Sequence, residues 1–79
     1  MYEKMGMLMD RDIAVQISKI MLEMGSKLDD TVLLIKNNCS EAEFIIYRNR
    51  IGIVMGHILL EVLNPLYLEH PDITPKELL

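Results

Sequence analysis

Ser40-Glu41-Ala42-Glu43-Phe44-Ile45-Ile46-Tyr47, running on as Arg48-Asn49-Arg50-Ile51-Gly52-Ile53-Val54-Met55-Gly56-His57-Ile58-Leu59-Leu60-Glu61-Val62-Leu63, is the stretch that decides the fold. It opens as a capping box. The Ser40 hydroxyl can accept from the amide of Glu43 while the Glu43 carboxylate reaches back to the amide of Ser40. The apolar run begins at once behind it, which marks a helix start. Asn64-Pro65 follows Leu63. Pro65 has no amide to donate and its ring crowds the preceding turn, so the helix is expected to stop or kink there.

Placing residues at about 100° per position sorts this helix into three apolar faces. Phe44, Ile51, Met55, Ile58 and Val62 form one, and Ile45, Gly52, Gly56, Leu59 and Leu63 a second. Ile46, Ile53 and Leu60 form a third at heptad spacing. Only Glu43, Arg50, His57 and Glu61 make a polar sector. One neighbouring helix cannot cover three faces.

Upstream, residues 10–36 read as a first helix, capped by Asp10 or Asp12, with acidic side chains at the positive end of the dipole. Ile13, Ile17, Ile20, Met24, Leu28 and Ile35 share a face flanked by Met21 and Val32, while Val15, Leu22 and Leu33 lie nearly opposite. Asn37-Asn38 is a turn signal, since Asn tolerates the left-handed conformation. So short a turn makes the two helices antiparallel neighbours. Phe44 is then expected against Leu33, Arg48 beside Asp29 or Asp30, and Gly52 against Gly25. Gly52 and Gly56 repeat the small-residue spacing that permits close helix approach.

The chain is therefore expected to be one all-α domain over residues 1–79: an N-terminal arm (1–9), a first helix (10–36), a second (40–63), and a short helix with a tail (64–79). The two-helix antiparallel hairpin, with its short C-terminal helix, is expected to dimerise into a four-helix bundle. Ile46, Ile53, Leu60, Gly52, Gly56, Val15 and Leu22 are the expected interface. The competing arrangement folds Pro65–His70 and the arm back over the hairpin as a lid. No window sustains strand alternation.

Composition agrees. Seventy-nine residues bury a modest core, yet 51% of them are hydrophobic. The single cysteine, Cys39, excludes an intramolecular disulfide and a multi-thiolate zinc site. A net charge of −4 without a basic stripe argues against nucleic acid and anionic membrane surfaces as partners. The longest uncharged apolar run, Ile51 to Leu60, falls short of the roughly 20 residues of a membrane span and reads as a buried core helix. The Met1–Met9 stretch lacks the features of a signal peptide, and with the lone cysteine this fits a cytoplasmic protein.

Candidate chemistry is sparse. His57 and Glu61 lie four apart on one face, and Glu69-His70-Pro71-Asp72 gathers two carboxylates and an imidazole. His57, Glu61, Glu69 and His70 are thus the candidate ligands for a metal- or small-ligand-binding bundle. Against this, the Glu-x-x-His spacing of di-iron bundles is missing, and an ordinary solvated polar stripe accounts for the first pair. Cys39 precedes a helix start, a position that can activate a thiol, but no cationic neighbour adjoins it in sequence. No glycine-rich phosphate loop or nucleophile elbow occurs. No catalytic or cofactor-binding residue is assigned. The leading expectation is a non-enzymatic homodimeric protein-interaction module, with the arm and Tyr67–Asp72 as further contact points.

The pattern Tyr47-Arg48, Gly52, Met55-Gly56, Ile58-Leu59-Leu60-Glu61, Asn64-Pro65-Leu66-Tyr67 and Glu69-His70-Pro71-Asp72 resembles a group of small uncharacterised bacterial helical proteins. The resemblance covers roughly the C-terminal half. It implies a bacterial cytosolic origin and a short helical dimer, and it carries no functional residue.

Overall fold

In the computed structural model, which describes residues 8–78, all regular structure is helical. Helix α1 spans Arg11–Asn38 and α2 spans Glu41–His57. A π-helical segment, Ile58–Leu63, joins α2 to α3, Asn64–Glu69. Single 3-10 turns follow at Pro71–Ile73 and Lys76–Leu78. The all-α hairpin expected from the sequence is present. Of the expected arm, residues 1–7 lie outside the described residues.

Both long helices start where their caps dictate. Asp10 accepts from the amide of Ile13 at 3.1 Å. At α2 the capping box is complete: the Glu43 amide donates to Ser40 Oγ at 3.2 Å, and the Ser40 amide donates to Glu43 Oε1 at 2.9 Å.

The end of α1 differs from expectation. Asn37 and Asn38 are its last residues, not the turn. The chain reverses through Cys39 and Ser40 in extended conformations, without a positive φ at either residue. The Asn38 side chain bonds back along the helix instead, its Nδ2 donating to the Leu34 carbonyl at 2.9 Å, while the Cys39 amide closes the last turn on the Ile35 carbonyl at 2.9 Å.

Moving the turn shifts the pairing register toward the C-terminus. Tyr47 donates to Thr31 Oγ1 at 2.8 Å. Arg48 forms no ion pair with Asp29 or Asp30; its guanidinium lies 5.3 Å from the centroid of the Phe44 ring, one turn back on its own helix. Gly25 faces Met55, whose Cε would come 4.0 Å from an added Cβ, whereas a Cβ at Gly52 would meet nothing within 4 Å. The two glycines therefore do not meet.

The stripe of α1 that meets α2 also differs from the expected one. Ile13, Ile20 and Met24 are exposed, while Ala14 and Ser18 are buried and Met21, Gly25, Leu28 and Val32 half-buried. Of the expected stripe, Ile17, Leu28 and Ile35 with the flanking Met21 and Val32 are half-buried, and Ala14 and Ser18 are covered by the C-terminal segment. Ile13 and Ile20 fall on the flank of this stripe.

Pro65 does not end the second helix. Helical structure continues unbroken from Glu41 to Glu69, because the π turn just before the proline absorbs it. The Asn64 amide bonds back to the Leu59 carbonyl, five residues away. Widening the helix here relieves the crowding that a proline ring imposes on the preceding turn. The extra residue also rotates everything downstream. Leu63, which falls on the second face of a regular helix, turns inward and is buried with Leu66 and Tyr67.

The C-terminal segment lies along the N-terminal half of α1. Tyr67 and Ser18 share a buried hydrogen bond at 2.5 Å. His70 Nε2 lies 2.7 Å from the Leu8 carbonyl, and Arg11 holds Asp72 at 2.7 Å. Among the described residues, Ala14, Ser18, Leu63, Leu66 and Tyr67 are the buried ones, and all lie at this end. The molecule measures 50 × 22 × 20 Å. Its radius of gyration, 15.5 Å, exceeds the roughly 12 Å of a compact domain of this length.

Candidate interaction surface

The outer side of α2 is the largest departure from a closed fold. No residue of α2 is buried. Ile46, Ile53 and Leu60 are exposed at 62%, 57% and 61%. Their heptad spacing places them on one line pointing away from α1. Ile45 and Leu59 are exposed beside them, Gly52 is exposed, and Gly56 is half-buried. The reading of Ile51 to Leu60 as a buried core helix is thereby corrected: Ile51, Met55, Gly56 and Ile58 are half-covered and the rest are exposed.

Of the residues expected at an interface, Leu22 and Gly56 border one groove, Val15 and Leu22 border another, and Ile46, Ile53 and Leu60 stand exposed on the outer side of α2. A groove of about 500 Å³ runs between the helices, lined by Met21, Leu22 and Gly25 of α1 and by Met55, Gly56 and Leu59. Leu22 also borders a second hollow of about 410 Å³ that includes Val15. Leu34 and Leu68 are exposed as well, at 62% and 84%, and sequence reasoning missed both.

Glu43, Arg50, His57 and Glu61 are exposed along one edge of the apolar line, as their spacing requires. The Ser40 backbone amide, and then its hydroxyl, hold the Glu43 carboxyl below its ordinary value of 4.5. The hydrogen bond from Arg11 holds Asp72 below 3.8.

The four candidate metal ligands are not brought together. His57 and Glu61 lie on the exposed edge, Glu69 is half-buried on α3, and His70 is engaged with the Leu8 carbonyl. Among the described residues no three His, Cys, Asp or Glu side chains are placed to hold a metal ion. Cys39 is a free, exposed thiol at the turn. Within Tyr67–Asp72, Tyr67, His70 and Asp72 are used in contacts with residues of the same chain.

The continuous helix Glu41–Glu69 has 29 residues and a mean hydropathy of 1.6 in its most apolar stretch, of which 17% is buried. By length and composition it could cross a membrane, a property hidden in the sequence by the expectation that Pro65 would break it. Comparison of the chain with known protein families, with characterised proteins and with solved structures finds no match.

Proposed function

We propose that the protein is a non-enzymatic helical interaction module whose immediate partner is a second copy of itself, two hairpins making a four-helix bundle. The observation that carries this reading is the exposed line Ile46, Ile53 and Leu60. Large aliphatic side chains gain roughly 1.5–3 kcal/mol each on full burial, so a surface leaving several wet has strong reason to pair. The whole chain exposes 6025 Å², against about 4,900 Å² for a compact monomer of its mass. Exposed apolar patches of this kind mark interaction sites. The grooves are lined mainly by apolar side chains, while the imidazole and carboxylate of His57 and Glu61 lie on the outer edge, which suits contact better than chemistry.

Sedimentation equilibrium of the wild type and of Ile53→Asp tests the proposal. The expected result is twice the chain mass for the wild type and the single-chain mass for the variant, with unchanged helical circular dichroism. A wild type that keeps the single-chain mass at high concentration overturns it.

A second reading is favoured by the length and hydropathy of Glu41–Glu69: the same face could be taken up by a lipid bilayer. His57, Glu61 and Asn64 lie within the apolar stretch and weigh against it, since ionisable groups at membrane depth are costly without partners. Co-flotation with neutral phosphatidylcholine vesicles distinguishes the two. The dimer reading expects the protein to stay behind.

A further inference from the structure

We infer that Pro71–Leu78 is a strap that closes over a hollow on α1, is latched by Arg11 on Asp72, and opens as a unit while the packed core behind it stays folded.

The buried side chains lie outside the strap. Ala14, Ser18, Leu63, Leu66 and Tyr67 all belong to α1 or to the helix that ends at Glu69. Their polar pair, Ser18 with Tyr67, is likewise complete without it. Within the strap, Ile73, Thr74 and Pro75 are half-buried, while Asp72, Lys76 and Glu77 are exposed. Its regular structure is two single 3-10 turns. The Ile73 amide donates to the His70 carbonyl and the Thr74 amide to the Pro71 carbonyl, so these bonds stay inside the segment and its root. Among the described residues, no backbone group of the strap bonds to α1. A segment with few buried contacts and no backbone ties to its neighbour opens at low cost.

The strap also leaves space beneath it. The hollow of about 410 Å³ has Val15, Ser18 and Leu22 of α1 on one side and Ile73 and Pro75 on the other. Closely packed protein seams hold few voids larger than a water molecule. Ile73 and Pro75 therefore wall the hollow without filling it, and their attachment rests on polar contacts at the root.

Two such contacts are present. His70 Nε2 lies 2.7 Å from the Leu8 carbonyl and fixes the residue before the strap. Arg11 Nε and Nη2 both reach Asp72 Oδ2 at 2.7 Å. Arg11 is the first residue of α1, where the helix dipole favours a carboxylate and disfavours a cation. Helix formation thus gives no reason for an arginine there, whereas the strap does. The two side chains are 54% and 59% exposed, so the pair shifts the closed–open balance by a factor of about two to five and is weakened by salt. A latch of that strength biases the strap without fixing it. Opening takes away the Ile73 and Pro75 wall and bares Val15 and Leu22.

Backbone amide relaxation tests the device on the full chain, since order parameters read fast disorder and dispersion reads slower opening. In Arg11→Gln the open fraction reported by Ile73, Thr74, Lys76 and Glu77 is expected to rise about two- to fivefold, with Leu63, Leu66 and Tyr67 unchanged. High salt should do the same to the wild type and nothing further to the variant. Exchanging the charges, Arg11→Asp with Asp72→Arg, should return the strap to its original order. Unchanged relaxation at Ile73 and Thr74 in Arg11→Gln overturns the latch. An equal change at Leu63, Leu66 and Tyr67 overturns the strap as a separate unit. Failure of the exchanged pair to restore order counts against Asp72 as the partner through which Arg11 acts.

Discussion

The two ends of the hairpin are built from similar residues and fare differently. At the end where the C-terminal segment returns, Ala14, Ser18, Leu63, Leu66 and Tyr67 are buried, and their polar atoms are paired. Toward the turn, Leu33, Leu34 and Ile46 remain exposed, and α2 buries nothing. The difference is one of element number. Two helices touch along a single line and can cover one stripe of each. A third segment laid over that line encloses side chains from several directions. The apolar content is no lower at the turn end; it lacks a third and fourth element to meet.

The largest effect that would break this comparison is at Leu66, which is 0% exposed. Leu66→Ala should destabilise the fold by about 2–5 kcal/mol through lost burial and the cavity left behind. Ile53→Ala, measured at concentrations low enough to keep single chains, should change stability by less than about 0.5 kcal/mol. Urea unfolding followed by circular dichroism reads both. Equal losses at the two positions would mean that the ends are equally packed.

A smaller effect sharpens the account of the packed end. Tyr67→Phe removes the partner of the Ser18 hydroxyl and leaves that group buried and unpaired, at a cost of about 1–3 kcal/mol. Adding Ser18→Ala should recover part of the loss. If the double variant is less stable than Tyr67→Phe by the full cost of an independent substitution, the hydroxyls do not act as a pair.

The smallest effect compares the ends by acid titration, since each carries one carboxylate of depressed pKa. Glu43 serves the turn end and Asp72 the packed end. Both are lowered in the folded state, so each contributes stability fully present above its ordinary value, 4.5 or 3.8, and lost as pH falls through the lower folded value. The melting temperature should be level from neutral pH down to about 5 and should fall below that. Ser40→Ala should flatten the portion due to Glu43. High salt should weaken the portion due to Asp72, whose partner Arg11 is largely exposed. An acid limb unaffected by either change would show that these contacts carry no linked stability.

Much of the architecture was legible because it rests on local rules. The Ser40–Glu43 box needs only two residues three apart, and it forms as read. The exposed line Ile46, Ile53 and Leu60 follows from periodicity, and among the described residues nothing covers it. The errors arose where a local signal met a tertiary alternative. Asn37-Asn38 looks like a turn, but extending α1 by two residues costs little when Cys39 and Ser40 can reverse the chain without positive φ. Pro65 looks like a stop, but burying Leu63, Leu66 and Tyr67 against α1 stabilises a continuous helix, and the π turn removes the clash. The expected pairing of Gly25 with Gly52 failed as a consequence of the shifted turn. The candidate ligands His57, Glu61, Glu69 and His70 were close in sequence yet ended apart, since the π turn and the change of direction at His70 separate their faces.

From the sequence alone came the helical class, the second helix's starting point and the excess of apolar surface, for these depend on spacing along one chain. Tertiary structure decided which apolar stripe was covered, where the π turn fell, how Tyr67 and Asp72 were tied back to α1, and how His70 was tied to Leu8 just ahead of it. Those outcomes depend on which burial between distant segments wins, a balance that no local window contains.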